Sequence, residues 1–174
     1  MKDILETIVS RRSIKKFKPK MVKQEQIEKV IKAGTFAPSG KNRQAAIILA
    51  VTNKQVRDSL SFLCSNVRGL KDVDPFYGAP VVLAVLADKN VPTYIYDGSV
   101  VLENMLLEAH SINLCACWIH HAKEVFETEE GKEILKKCNI EGNYEGIGFC
   151  ILGYPDMQIK NELPRKDNFV YYLK

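Results

Sequence analysis

Two apolar stretches without a single charge, Ala79 to Ala87 and Gly146 to Pro155, constrain this chain more than any other feature. Neither alternates apolar with polar residues, so each reads as a strand buried within a sheet. Both fall short of the roughly 18 apolar residues that a membrane span requires, and no longer run exists in the sequence. Between them lies a helical pattern over residues 94–112. At about 100° per residue, Val101, Leu102, Met105, Leu106, Ala109 and Ile112 fill a continuous arc of roughly 140°, with Val100 and Leu107 outside it. A helix apolar over that much of its surface is buried on more than one side. In a chain of 174 residues a partner subunit is a natural second wall.

That length predicts a single domain over residues 1–174, large enough to bury about 70% of its unfolded surface without a disulfide or metal staple. The composition is 46% hydrophobic and 26% charged, which excludes disordered, collagen-like and coiled-coil classes. Met1-Lys2-Asp3-Ile4 lacks the apolar segment of a secretory signal, so a cytoplasmic protein with no membrane partner is expected. Five scattered cysteines, Cys64, Cys115, Cys117, Cys138 and Cys150, then read as reduced and mostly buried thiols.

The remaining elements follow from periodicity and punctuation. Residues 3–10 carry Ile4, Leu5, Ile8 and Val9 at helical spacing. A second helix spans Gln24 to Ala33, with Gly34 as its C-terminal stop. Strands are predicted at Ala46–Thr52, Pro80–Ala87, Leu114–Ile119 and Gly146–Tyr154. A polar helix runs to about Cys64, a loop covers residues 65–78 beside a site, and a surface helix spans Glu129 to Cys138 after Thr128. Residues 155–174 form a tail whose apolar end, Phe169 to Leu173, must pack on its own core or on another subunit.

Chemistry is concentrated in three segments. The net charge of +4 is modest, yet Arg11 to Lys20 holds six basic residues and no acid. Within it, Arg11, Arg12, Ser13 and Lys15 supply two guanidinium forks, a hydroxyl and an ammonium, a set suited to a terminal phosphate or another dianion. A solvated basic face would look the same in isolation. Pro38-Ser39-Gly40-Lys41-Asn42-Arg43-Gln44 offers backbone amides, carboxamides and cations that suit the polar edge of a planar heterocycle, and equally makes an ordinary turn. Cys115, Cys117, His120 and His121 could be drawn as a zinc site. Their C-x-C spacing and adjacent histidines favour core cysteines followed by loop histidines instead, so no metal is expected. There is no G-x-G-x-x-G, Walker loop or G-x-S-x-G elbow, and no nucleic-acid-binding motif.

Taken together the segments resemble the FMN-dependent nitroreductase family. Its R-x-S-x-R/K-x-F opening corresponds to Arg11–Phe17, and its P-S-x-x-N-x-Q segment to Pro38–Gln44. The acid ahead of a long apolar helix is Asp97. The C-W-I-like strand end is Cys117-Trp118-Ile119, and L-G-Y-P before a basic tail is Leu152–Pro155 followed by Arg165 and Lys166. The chain departs from the family with Ala45-Ala46 after Gln44 and with His120 where many members carry glycine.

The resemblance implies an α+β fold, a central, mostly antiparallel sheet flanked by helices, and an intertwined homodimer with two FMN molecules at its interface. It implies that Arg11, Arg12, Ser13 and Lys15, with Arg165 and Lys166 from the tail, hold the flavin phosphate and ribityl. Pro38, Ser39, Gly40 and Asn42 reach the flavin from the other subunit, and Lys41 or Arg43 could supply positive charge near the ring. The implied activity is a two-step exchange in which NADH or NADPH reduces the flavin and leaves. An electron-poor acceptor such as a nitroaromatic or quinone then takes the electrons. The flavin carries the chemistry, so no catalytic side chain is assigned. Alternatives are a specialised oxidase or dehalogenating flavoprotein of the same fold, or a non-catalytic phosphate- or nucleic-acid-binding module.

Overall fold

The computed structural model describes residues 3–158 and 164–174; positions 1–2 and 159–163, the latter part of the tail expected over 155–174, lie outside the described residues. In chain order the elements are α1 (Ile4–Ser10), α2 (Gln24–Thr35), β1 (Ala46–Val51), α3 (Lys54–Val67), β2 (Val81–Asp88), α4 (Tyr94–Ser111), β3 (Cys115–Ile119), α5 (Ala122–Glu127), α6 (Glu129–Lys137) and β4 (Tyr144–Gly153). Short 3₁₀ turns occupy Gly40–Asn42 and Asp167–Phe169. The four strands form one sheet in the order β1-β2-β4-β3 with every neighbour antiparallel, so the α+β expectation holds.

The two charge-free stretches are its central pair. Val81 to Ala87 have no exposed surface, and β4 is buried from Glu145 to Gly153. Side-chain alternation sends Val82, Ala84, Leu86, Phe149 and Ile151 to one face, where α3 and α5 cover them. Val81, Leu83, Val85, Cys150 and Leu152 point to the other, under α2 and α4. Each large apolar side chain so buried contributes on the order of 1.5–3 kcal/mol. The result is a helix–sheet–helix sandwich with no free sheet face.

The second wall of α4 is inside the chain. Val101, Leu102, Met105, Leu106 and Ala109 are all buried against α2 and the sheet. Gly34 explains the closeness of α2. It does not stop the helix, which runs on to Thr35; a Cβ there would stand 2.8 Å from Met105 Cγ and 3.0 Å from Ile48 Cδ1. Exposed apolar side chains include Ile4, Leu5, Ile8 and Val9 of α1, Ile95 and Tyr96 in the first turn of α4, and Phe169 to Leu173 of the tail. Helix α5 was not apparent in the sequence, because its six residues are too few to show a period. The helix after it begins as expected, with Thr128 accepting from the Gly131 amide at 3.0 Å. Among the described residues no helix is long and apolar enough to cross a membrane.

The loop expected over residues 65–78 begins later, since α3 continues to Val67. It is shaped by one carboxylate. Asp74 accepts from the Arg57 guanidinium, from Ser61 Oγ at 2.6 Å, and from the amides of Phe76 at 2.9 Å and Gly78 at 2.7 Å. Arg57 also donates to the Ala79 carbonyl at 3.0 Å. Burial pushes the Asp74 pKa up, but the bonds from Arg57, Ser61 and the two amides outweigh it and hold the carboxyl below its ordinary value. A pKa lowered by folding adds stability above the unfolded value of about 3.9, which is lost as pH falls through the folded value. Asp74→Asn should therefore cost about 2 kcal/mol at pH 7, the scale of hydrogen bonds to a charged group. In urea denaturation the gap from the parent should hold down to about pH 5 and close below about pH 4.

Candidate functional site

The basic segment is an added strand edge. After α1 ends, Arg11 turns extended (ψ 138°), Ser13 pairs in parallel with Ala116, and the Ile14 amide donates to the Ala116 carbonyl at 3.2 Å. Ile14 and Phe17, both buried, fasten the segment to the core. Residues two apart on an extended chain share a side, which aligns Arg11, Ser13 and Lys15. All three act on one atom. Burial pushes the Cys117 thiol pKa up, while the Ser13 hydroxyl and the charges of Lys15 and Arg11 pull against it.

Arg11 Nε is buried without a hydrogen bond; the Glu103 carboxylate stands 3.8 Å away, beyond bonding distance. An unpaired buried donor costs about 1–3 kcal/mol, which an anion accepting from it would recover. Arg12 is placed differently. Its Nη1 donates to the Val9 carbonyl at 2.6 Å and to the Arg11 carbonyl at 2.7 Å, closing the end of α1, although its Nε is also buried and unpaired. Lys15 lies over the Tyr77 ring, 5.7 Å from its centroid. Ser10 Oγ stands 2.7 Å from His110 Nε2 and ties this end of α1 to α4.

The second segment is a turn held under strain. Lys41, Asn42 and Gln44 have φ of 53°, 53° and 50°, a left-handed backbone that costs a non-glycine residue roughly 1–2 kcal/mol each. Compensation comes from α4. The Gly40 amide donates to Asp97 Oδ1 at 3.1 Å, and Thr93 Oγ1 donates to Asp97 Oδ2 at 3.0 Å. A Cβ on Gly40 would fall 2.4 Å from Thr93 Oγ1, so only glycine admits this approach. Ser39 Oγ accepts from the Gln44 amide at 3.1 Å. A groove of about 300 Å³ opens beside the turn, lined in part by Pro38, Ser39, Gln44, Asp97 and Val101.

The two segments do not meet within one chain. The turn feeds β1, one sheet edge, at Ala46, which is in register with Ala87; Ser13 lies outside β3, the other edge, in register through Ala116 and Leu152 with Val81. Four strand spacings across and six residues along give a separation of roughly 25–30 Å between Ser13 and Ala46. Arg165 and Lys166 lie on the exposed tail, where Lys166 Nζ sits 5.5 Å from the Phe169 ring centroid. No sequence motif marks Glu103 or Tyr77 as neighbours of these segments. Only Thr93, four residues before Asp97 at a helix start, left a readable spacing.

Cys115 and Cys117 point into the core, while His120 and His121 stack edge to face beyond the strand's far end with centroids 5.1 Å apart. Among the described residues no three His, Cys, Asp or Glu side chains are placed to hold a metal ion. Burial pushes the Cys64 thiol up to about 11 and Cys150 up to about 12, and raises Cys115 as well. Iodoacetamide at pH 8 should therefore modify Cys138, the one exposed thiol, and spare the other four until denaturant is added. Peptide mass mapping gives the answer directly, and fast labelling of Cys117 would show that the basic segment does not cover it.

A model of the Nitroreductase family matches residues 8–154 of the chain. Over 158 residues the chain is 30% identical to a protein of Methanothermobacter thermautotrophicus provisionally named an NADH dehydrogenase/NAD(P)H nitroreductase, covering 88% of this chain and 78% of that protein. It is 27% identical over 183 residues to the NADPH-flavin oxidoreductase of Vibrio harveyi, covering 94% and 71% respectively. Its backbone superposes on the crystal structure of a nitroreductase with bound FMN from Bacteroides fragilis with a TM-score of 0.91, all of both chains covered and 23% identity, a likeness of fold. The family match runs through the basic segment, the strained turn and all four strands, and the chain belongs to the nitroreductase family.

Proposed function

We propose that the protein is an FMN-dependent NAD(P)H oxidoreductase that reduces electron-poor acceptors such as nitroaromatics or quinones. The observation that carries this reading is the spacing of Arg11, Ser13 and Lys15 along the extended segment at the sheet edge, with Arg11 Nε buried and without a hydrogen bond. A phosphate monoester supplies the charge and acceptor oxygens that this donor set lacks. In this reading Arg11, Ser13 and Lys15 hold the FMN phosphate. Arg12 adds charge from the end of α1, and Arg165 and Lys166 approach with the tail. The names of the M. thermautotrophicus and V. harveyi relatives support an NAD(P)H-linked flavin activity.

FMN, when bound, supplies hydride acceptance from NAD(P)H and electron delivery to a second substrate. The protein's own residues bind and orient. Ile14 and Phe17 fix the basic segment to the sheet edge, so the cations are positioned before the ligand arrives. Pro38, Ser39, Gly40 and Asn42 present the polar edge of the strained turn. A separation of roughly 25–30 Å is more than one FMN covers from phosphate to ring, so the turn serves the flavin of a second copy. The homodimer is thus part of the proposal. It also gives the apolar face of α1, the outer edge of β1 and the residues from Phe169 to Leu173 something to pack on.

Freshly purified protein should be yellow, or become so with added FMN, and should oxidise NADH or NADPH when a nitroaromatic or quinone is present. A preparation that stays colourless with FMN would sink the flavoprotein reading. Arg11→Ala should weaken FMN binding at least tenfold with the fold intact, since charge-assisted hydrogen bonds contribute on the order of 1.5–3 kcal/mol each. Sedimentation at micromolar concentration should give a dimer, and deletion of residues 168–174 should lower FMN retention by linkage. A monomer holding stoichiometric FMN would contradict the shared site.

A further inference from the structure

The turn at 39–44 combines three left-handed non-glycine residues with exposed side chains at Lys41, Asn42, Arg43 and Gln44. Such a backbone relaxes unless its surroundings over-determine it. Backbone bonds from the Asn42 amide to the Ser39 carbonyl at 3.0 Å and from the Arg43 amide to the Gly40 carbonyl at 3.2 Å close the turn. Its side-chain bonds, Ser39 Oγ to the Gln44 amide and Gln44 Nε2 to Asn42 Oδ1 at 3.3 Å, are exposed and compete with water. The anchor outside it is Asp97, a carboxylate only 5% exposed. Its two oxygens are divided between the Gly40 amide, at 3.1 Å, and Thr93 Oγ1, at 3.0 Å. Thr93 in turn fills the space where a Gly40 Cβ would lie. The far side of α4 is fixed independently, because Tyr94 donates to the buried Glu145 of β4 at 3.1 Å. The turn therefore hangs from a rigid post.

We infer that Asp97, with Thr93, is the positioning residue that holds Ser39 to Asn42 in the conformation that meets the flavin of the other subunit; this rests on the flavoprotein reading above. Asp97 touches no ligand itself. Its carboxylate fixes Gly40, Gly40 fixes the left-handed pair that follows, and the pair sets where Asn42 points. Losing the anchor lets the turn exchange its strained state for relaxed ones, and the binding-competent fraction falls, with apparent affinity falling in proportion.

The test compares apoprotein variants by FMN fluorescence quenching, with thermal melting of the apoprotein as a separate measurement. The parent should bind FMN; if it does not, the flavoprotein reading and this inference both fail. Asp97→Ala should weaken binding at least tenfold and alter the visible circular dichroism of bound flavin. Asp97→Asn should stay within about threefold of the parent, because its amide oxygen still accepts from Gly40 and its NH₂ can donate to the Thr93 hydroxyl. Should Asp97→Ala fail to fold, Thr93→Ala removes half of the anchor without uncovering the carboxylate and should weaken binding by about threefold to tenfold. Gly40→Ala, which drives a Cβ into Thr93, should weaken it as well. A parent that binds FMN while folded Asp97→Ala, or Thr93→Ala and Gly40→Ala, bind it equally well overturns the inference and leaves the flavoprotein reading standing.

Discussion

Everything in this molecule is arranged around the pairing of β2 with β4. Neither strand offers water a polar face, so the sheet must be covered on both sides. The chain supplies α2 and α4 for one face and α3 and α5 for the other. With both faces occupied, a ligand has only the sheet's edges and ends available. The two chemically dense segments lie there, one laid along the outer edge of β3 and one turning into β1.

That geometry also closes the apolar side of the long helix within one chain. The broad apolar arc on α4 needs a second wall, and α2 supplies it within the same chain, helped by the missing side chain of Gly34. Among the described residues the fold leaves exposed the α1 face, the start of α4 at Ile95 and Tyr96, the β1 edge and the aromatic end of the tail. Edges and termini are where chains exchange contacts most readily, because their backbone groups and apolar side chains have no internal partner.

Three carboxylates tie distant parts of the structure together, and two of them fix irregular backbone. Asp74 organises the loop after α3 through Arg57, Ser61 and two amides, and Asp97 suspends the turn at Gly40 from the start of α4. Glu145, buried at the start of β4, takes the Tyr94 hydroxyl and lies 3.1 Å from Lys123 Nζ. Carboxylates drawn out of water require such partners, and satisfying those of Asp74 and Asp97 imposes a single loop geometry where apolar packing alone would allow several.

The sequence alone determined the four strands, the long helix, the basic segment and the run of turn formers. These are local matters: an uncharged apolar run, a period of 3.6 residues, a cluster of cations and a group of turn formers each leave their mark within ten or twenty residues. Tertiary structure decided what depends on distant partners. It separated Arg11 from Arg12, because only the pairing of Ser13 with Ala116 sets which guanidinium shares a side with Ser13 and Lys15 and which closes α1. It kept Gly34 within a helix, where the spacing alone reads as a stop, since the approach of Met105 comes from a segment some seventy residues away in the sequence. It gave Asp97 and Thr93 a turn to hold, because that contact joins residues 57 apart and no local pattern records a hydrogen bond across such a distance.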